Sequence, residues 1–313
     1  MKRGGAGGKP QRESRAAIRE SPLLEGQIIA AYGRRYLVEL ADSSTLDCVT
    51  RGKRGAFACG DRVNVASTAP GLGVVETAAP RATLLYRSDR VRQKLIAANV
   101  TQIVVVVAPV PSFHDDLLNR CLAAAEHGGM ATLVALNKTD LPQAAAASGA
   151  LEPYRRLGYR VVPLSAKRDL APLAAHLRGH TSVLVGQSGM GKSTIVNGLI
   201  PDAAVRVAEI STALDAGRHT TTHARLYHLD RASHVIDSPG IQEFGLQHLE
   251  AAELAHAFVE FRPWLGQCRF RDCRHVAEPG CAIAGACGKG KISERRLESY
   301  RDLVREKKRN GDW

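Results

Sequence analysis

Nine consecutive residues, Gly186, Gln187, Ser188, Gly189, Met190, Gly191, Lys192, Ser193 and Thr194, have the types and spacing that hold phosphate. The three glycines let successive backbone N–H groups close around phosphate oxygens, Lys192 places a point charge at the outer phosphates, and Ser193 offers a hydroxyl to Mg²⁺. The apolar run Ser182 to Val185 precedes them and the helix-like Thr194 to Ile200 follows. A strand before and a helix after is the context that separates a phosphate cradle from a plain glycine turn.

Upstream of the cradle, Asn137, Lys138, Thr139 and Asp140 follow the apolar run Thr132 to Leu136, and Ser165, Ala166 and Lys167 follow Tyr159 to Leu164. The carboxylate of Asp140 suits the N1–H and exocyclic amine of guanine. Adenine offers no such pair of donors and would leave a buried carboxylate unpaired, a loss of about 1–3 kcal/mol or more. Asn137 is expected to brace the loop and contact the base edge, with the stem of Lys138 over the ring. Downstream, the run His234 to Asp237 ends in Asp237-Ser238-Pro239-Gly240. Asp237 sits where a carboxylate holds Mg²⁺ through water, and the Gly240 N–H can sense a terminal phosphate. Between cradle and Asp237, one of Thr220, Thr221 and Thr222 is expected to give Mg²⁺ a second hydroxyl; we assign Thr221, with its neighbours as alternatives. Ile241 stands where Ras-like GTPases carry a water-orienting glutamine. An apolar side chain cannot orient water, so His219 is the candidate to do so, and slow intrinsic hydrolysis quickened by a partner is expected.

A second kind of chemistry lies near the C-terminus. Cys268, Cys273, His275 and Cys281 form C-x4-C-x-H-x5-C, and three thiolates with one imidazole suit a closed, structural Zn²⁺ site. Cys287 is a less favoured alternative. The metal is expected to substitute for a core in a region with few apolar residues. Cys48, Cys59 and Cys121 are scattered and read as small core hydrophobes.

The elements that must position these residues divide the chain into three textures. From Gly26 to about Leu85, short alternating strands (Tyr36, Val38 and Leu40; Val63 and Val65) are punctuated by Gly33, Gly60-Asp61 and Pro70-Gly71. That pattern fits a five-stranded barrel of the OB type, often an oligonucleotide binder, and Arg34, Arg35, Arg51, Lys53 and Arg54 favour such a ligand. After Arg90, the runs Ile103 to Ala108, Thr132 to Leu136, Tyr159 to Leu164, Ser182 to Val185 and His234 to Asp237 alternate with helix-like stretches such as Asp115 to Gly128, as in a parallel sheet covered by helices. Beyond Gly240 the chain reads helical, with Leu297, Tyr300, Leu303 and Val304 on one face of a last helix.

The chain has 313 residues, with 43 Lys+Arg against 31 Asp+Glu and a net charge of +12. That excess points to a polyanionic partner. Val100 to Val110 is far shorter than the roughly 20 residues of a spanning helix, and the basic N-terminus lacks a secretory apolar core. A cytoplasmic protein, monomeric and without a membrane partner, is expected. Residues 1–21 read as a basic, Gly-rich flexible tail.

Taken in order, these motifs resemble ribosome small-subunit-dependent GTPase A, the RsgA or YjeQ type of circularly permuted GTPase, in which base reader precedes cradle. The resemblance covers nearly the whole chain from about residue 22; Cys59 stands where a Val is usual. It implies an OB barrel over 22–87, a circularly permuted GTPase domain over 88–245 and a zinc-binding helical domain over 246–313. It also implies GTP hydrolysis to GDP and phosphate during late maturation of the small ribosomal subunit, stimulated by that subunit and controlling release. On the same resemblance, barrel and zinc domain contact ribosomal RNA and His219 supports hydrolysis. A constitutive RNA-binding module whose pocket is vestigial or ATP-directed and a hydrolase of small phosphoesters are the rival readings.

Overall fold

The computed structural model describes residues 22–51, 57–88, 93–201, 224–238, 246 and 249–309. Five strands come first: β1 (Leu24–Tyr32), β2 (Arg35–Leu40), β3 (Thr45–Thr50), β4 (Arg62–Ala69) and β5 (Leu72–Ala78). The strands pair in the cycle β1-β2-β3-β5-β4 and back to β1, with only β3–β5 parallel, so the sheet closes into the expected barrel. Alternation does what it must: Tyr36, Val38, Val63 and Val65 point inward onto Ile28, Leu46, Cys48 and Val75. Gly33, at φ +65°, makes the two-residue turn between β1 and β2, a conformation that glycine adopts without steric cost.

A hairpin, β6 (Leu84–Ser88) and β7 (Gln93–Ala98), links barrel to sheet. There follow β8 (Gln102–Val107), α1 (Asp115–Gly128), β9 (Ala131–Leu136), α2 (Ala144–Ala150), α3 (Glu152–Arg156), β10 (Arg160–Pro163), α4 (Ala171–Leu177), β11 (Thr181–Val185), α5 (Lys192–Leu199), β12 (Arg225–His228) and β13 (His234–Asp237). In space the strands run β10-β9-β8-β11-β13-β12, all parallel except β12. Every residue of β8 is buried, because helices cover both faces, which is why its sequence is a continuous apolar run. One pairing, Ala30 with Arg225, joins this sheet to the barrel. Cys48, Cys59 and Cys121 are all fully buried, as small hydrophobes should be.

The C-terminal part comprises α6 (Ala251–His256), a 3-10 turn (Val259–Trp264), α7 (Ala282–Gly288) and α8 (Glu294–Arg309). The expected apolar face of α8 is buried, and Tyr300 meets Phe258 and Phe261 edge-on at ring separations of 5.4 and 5.1 Å. This corrects the expectation of a region poor in apolar residues. A genuine aromatic core exists beside the cysteine cluster, assembled from residues far apart in the chain. Arg296 is buried against it, its guanidinium 4.4 Å from the Phe258 ring centre and forked onto both Glu260 oxygens at 2.6 and 3.1 Å. Breaking a buried pair leaves an uncompensated charge. Glu260→Ala is therefore expected to cost about 3–5 kcal/mol, read as a lower urea midpoint; a loss under about 1 kcal/mol would show that Arg296 finds other partners.

Candidate functional site

The loops after β9, β10 and β11 leave the sheet at its carboxyl edge, where open α/β sheets bind ligands. Together they line one cavity of about 660 Å³. Asn137, Lys138, Asp140 and Leu141 come from the first loop, Ser165, Ala166 and Lys167 from the second, and Gly186, Ser188, Gly189, Gly191, Lys192, Ser193 and Thr194 from the third. Of the expected residues in these three loops, Thr139, Gln187 and Met190 do not line it. The Thr139 N–H donates to the Leu164 carbonyl, the Gln187 amide oxygen accepts from the His114 N–H, and Met190 is buried in the core beneath.

Asn137 ties the three loops together. Its Nδ2 donates to the Met190 carbonyl at 2.9 Å and its Oδ1 accepts from the Ala166 N–H at 2.9 Å. Both ends of the amide thus serve as the brace. Gly191 makes room for this knot: at φ +96°, a Cβ there would lie 2.3 Å from Asn137 Nδ2. Gly186 has the same duty toward the sheet, since its Cβ would fall 2.3 Å from the Val106 carbonyl oxygen. Asp140, expected as a buried carboxylate, is instead exposed at the mouth of the loop, and its Oδ1 accepts from Ser165 Oγ at 2.6 Å. That hydrogen bond, above all, holds its carboxyl below the usual range, leaving an ionised acceptor.

Lys192, at the start of α5, folds its ammonium onto the carbonyls of Gly186 and Gln187. It also faces Asp237, at the end of β13, the strand next to β11. Burial lowers the Lys192 pKa and raises that of Asp237, and in each case the opposite charge offsets part of the shift. His219, Thr220, Thr221, Thr222, Gly240 and Ile241 lie outside the described residues, as do Lys53, Arg54 and the tail over 1–21.

In the C-terminal part, the Sγ atoms of Cys268, Cys273 and Cys281 each lie 3.5 Å from His275 Nδ1. All four ligand atoms fall within 4.8 Å of one another. Tetrahedral bonds of about 2.3 Å to sulfur and about 2.0 Å to nitrogen would set S and N about 3.5 Å apart, so the group could hold one metal ion. Backbone donors complete it: the Ala282 N–H points to Cys268 Sγ at 3.3 Å and the Ala284 N–H to Cys281 Sγ at 3.4 Å, placed to support thiolate charge. The Glu278 carboxylate accepts from the N–H groups of Arg274, Val276 and Ala277, shaping the loop between ligands. Cys287 is not in the group.

The sequence profile of the RsgA GTPase family matches residues 78–247. A protein of Nitrosospira multiformis named small ribosomal subunit biogenesis GTPase RsgA is 57% identical over 286 residues, 91% of each chain. This chain belongs to the RsgA GTPase family. A second RsgA, of Nitrosomonas europaea, is 52% identical over 93% of this chain and 94% of its own. Among solved structures, YjeQ from Thermotoga maritima matches with a TM-score of 0.69 at 30% identity, covering 91% of this chain and 98% of its own. YloQ, described as a circularly permuted GTPase, matches at 0.66 and 27%, covering 94% and 98%.

The permutation is visible in the sheet of this RsgA family member. The loops bearing Asn137, Ser165, Lys192 and Asp237 occupy one edge, yet appear in the chain in the order β9, β10, β11, β13. Adjacency in a sheet need not follow chain order, so the parts converge although the chain joins them differently. Sequence reading missed the loop after β8, residues 108–114, which abuts the cradle through His114 and Pro111. Its signal was available: it leaves the same carboxyl edge as the three loops that were found.

Proposed function

We propose that this protein is a GTPase of small ribosomal subunit biogenesis, which binds GTP·Mg²⁺, docks on the subunit and hydrolyses GTP to GDP and phosphate in order to leave. The single observation that carries this reading is the convergence of Asp140, the Asn137 knot and the Lys192 cradle on one cavity large enough for a nucleotide. The RsgA names of relatives at 49–57% identity supply the subunit, and the net charge of +12 suits a partner rich in phosphate. No described helix is long and apolar enough to cross a membrane, in keeping with a cytoplasmic site of action. In this reading barrel and cysteine-bearing region face ribosomal RNA, and the division at 22–87, 88–245 and 246–313 is kept, with β6–β7 as the connection. We assign the ion of the cysteine group as zinc, on the donor set of three thiolates and one imidazole.

Asp140 would select guanine, Lys192 would neutralise the outer phosphates, and Ser193, Thr221 and Asp237 would hold Mg²⁺, with Gly240 sensing the terminal phosphate and His219 positioning water. Mg²⁺, when bound with the nucleotide, supplies charge neutralisation on the phosphates. GTP and GDP should bind at least about tenfold more tightly than ATP, because adenine offers Asp140 no matching pair of donors. Tighter binding of ATP than of GTP, or binding of neither, would favour the rival RNA-binding module.

The raised pKa of Asp237 carries a sign. Its carboxylate binds a cation only when ionised, so Mg²⁺-dependent GTP affinity is expected to fall as pH drops through a value above the usual aspartate range. Titrations across acidic pH would show the loss in the wild type and a flat profile in Asp237→Asn. A wild type that holds full affinity down to the ordinary carboxylate range would contradict the assignment.

A further inference from the structure

The loop after β8 touches the nucleotide cavity through three contacts of different kinds. Lys138 Nζ donates to the Val110 carbonyl at 2.7 Å. The His114 N–H donates to Gln187 Oε1 at 3.2 Å. Pro111 packs on Gly189 so closely that a Cβ there would lie 3.2 Å from the proline Cδ. One short loop thus fixes the lysine meant to cover the base and two residues of the cradle.

His114 is the N-cap residue of α1, so the loop passes into that helix without an intervening linker. Along its length α1 is fastened to the C-terminal part. Asp115 pairs with Arg295, Arg120 bridges Asp116 and Glu306, and Glu126 pairs with Arg262. At the centre lies a buried knot: Asn119 Nδ2 donates to Ser299 Oγ at 2.7 Å, and its Oδ1 accepts from Arg296 at 2.7 Å and from Tyr154 at 3.0 Å. Every polar atom of the Asn119 amide is engaged. Sliding α8 along α1 would strand buried donors and a buried guanidinium, which is costly.

We infer that α1, with the loop over 108–114, is the mechanical link between the nucleotide cavity and the C-terminal part, with Val110 and His114 as positioning residues for Lys138 and Gln187. The inference rests on the GTP reading of the cavity. Helix and C-terminal part move as one body, so a rearrangement of Lys138 or Gln187 between GTP and GDP states is transmitted through α1.

Coupling between sites is reciprocal. Loosening α8 from α1 must therefore alter how the cavity ranks its nucleotides. The experiment uses the full chain and fluorescent GDP and a non-hydrolysable GTP analogue, titrated against wild type, Arg120→Met, Ser299→Ala and Arg305→Met. Among the described residues Arg305 pairs within α8 alone, with Glu298 and Asp302, and serves as the control. The expected result is a shift of the GDP to GTP-analogue affinity ratio by about fivefold or more in Arg120→Met and Ser299→Ala, with Arg305→Met unchanged. A merely structural role would weaken both nucleotides together and leave the ratio alone. Ratios within about twofold of wild type in both interface variants would overturn the inference, and Ser299→Ala, which deletes one hydroxyl, keeps the test decisive should Arg120→Met fold poorly. If the wild type bound neither nucleotide, the GTP reading itself would fall instead.

Discussion

Lys192→Ala is expected to lower GTP turnover on small subunits by about 10²–10³. The ammonium sits at the floor of the cradle, held by the Gly186 and Gln187 carbonyls and facing Asp237. Those partners keep it ready for phosphate: burial weakens its hold on the proton, and Asp237 opposes that effect. Alanine removes the charge and leaves the carbonyls of the loop facing one another and Asp237 without its cation. Because the lost interaction is strongest when charge builds on the transferring phosphate, turnover should fall more than ground-state affinity. A variant that bound GTP normally and retained more than about a tenth of stimulated turnover would remove Lys192 from the chemistry.

Withdrawal of the metal should produce the second large effect, and the structure limits its extent. A structural zinc ion contributes on the order of 10 kcal/mol to the folding of small zinc peptides, so chelation or Cys273→Ser is expected to release the segment from Cys268 to Gly288. The aromatic core of Phe258, Phe261 and Tyr300 packs against Cys268, Cys273 and Cys281 on one side, but on the other it is fastened to α1 through Arg296 and Asn119, contacts that do not involve the ligands. Hydrogen exchange should therefore rise sharply over the ligand loop and α7 but little over α8 and α1. Uniform loss of protection across 249–309 would mean that the metal, and not the core, holds this region. No change over the loop on chelation would mean that the four ligands do not bind a metal.

That distinction was not legible in the sequence, and the reason is physical. Phe258 and Phe261 are separated from Tyr300 by the whole metal loop, and the knot at Asn119 joins residues 177 and 180 positions apart. No local period encodes such contacts. What local chemistry does encode was readable: the Gly-Lys-Ser cradle, the reader at Asn137 to Asp140, the four metal ligands and the fully buried β8 each carry their cause in neighbouring residues. The short strand β12, Arg-Leu-Tyr-His, escaped because polar residues at both ends hide a strand whose burial comes from β13 and from the barrel. The hairpin β6–β7 escaped likewise, its alternation interrupted by a bulge at Leu85 to Tyr86.

Asn137 illustrates how the structure sharpened a residue that sequence had already chosen. Expected to brace the loop and contact the base edge, it engages both amide atoms in the brace, on Met190 and Ala166, and each atom keeps one further hydrogen-bonding position. Asp140, the proposed base selector, is held ionised by its Ser165 partner.

The central claim is that this cavity belongs to a GTPase that waits for its partner. GTP hydrolysis by the wild-type chain, measured with and without purified small ribosomal subunits at matched salt, tests it most directly. The account predicts slow turnover alone, because Ile241 cannot orient water, and a rise of about a hundredfold or more when subunits are added. Turnover that is the same in both conditions would contradict it.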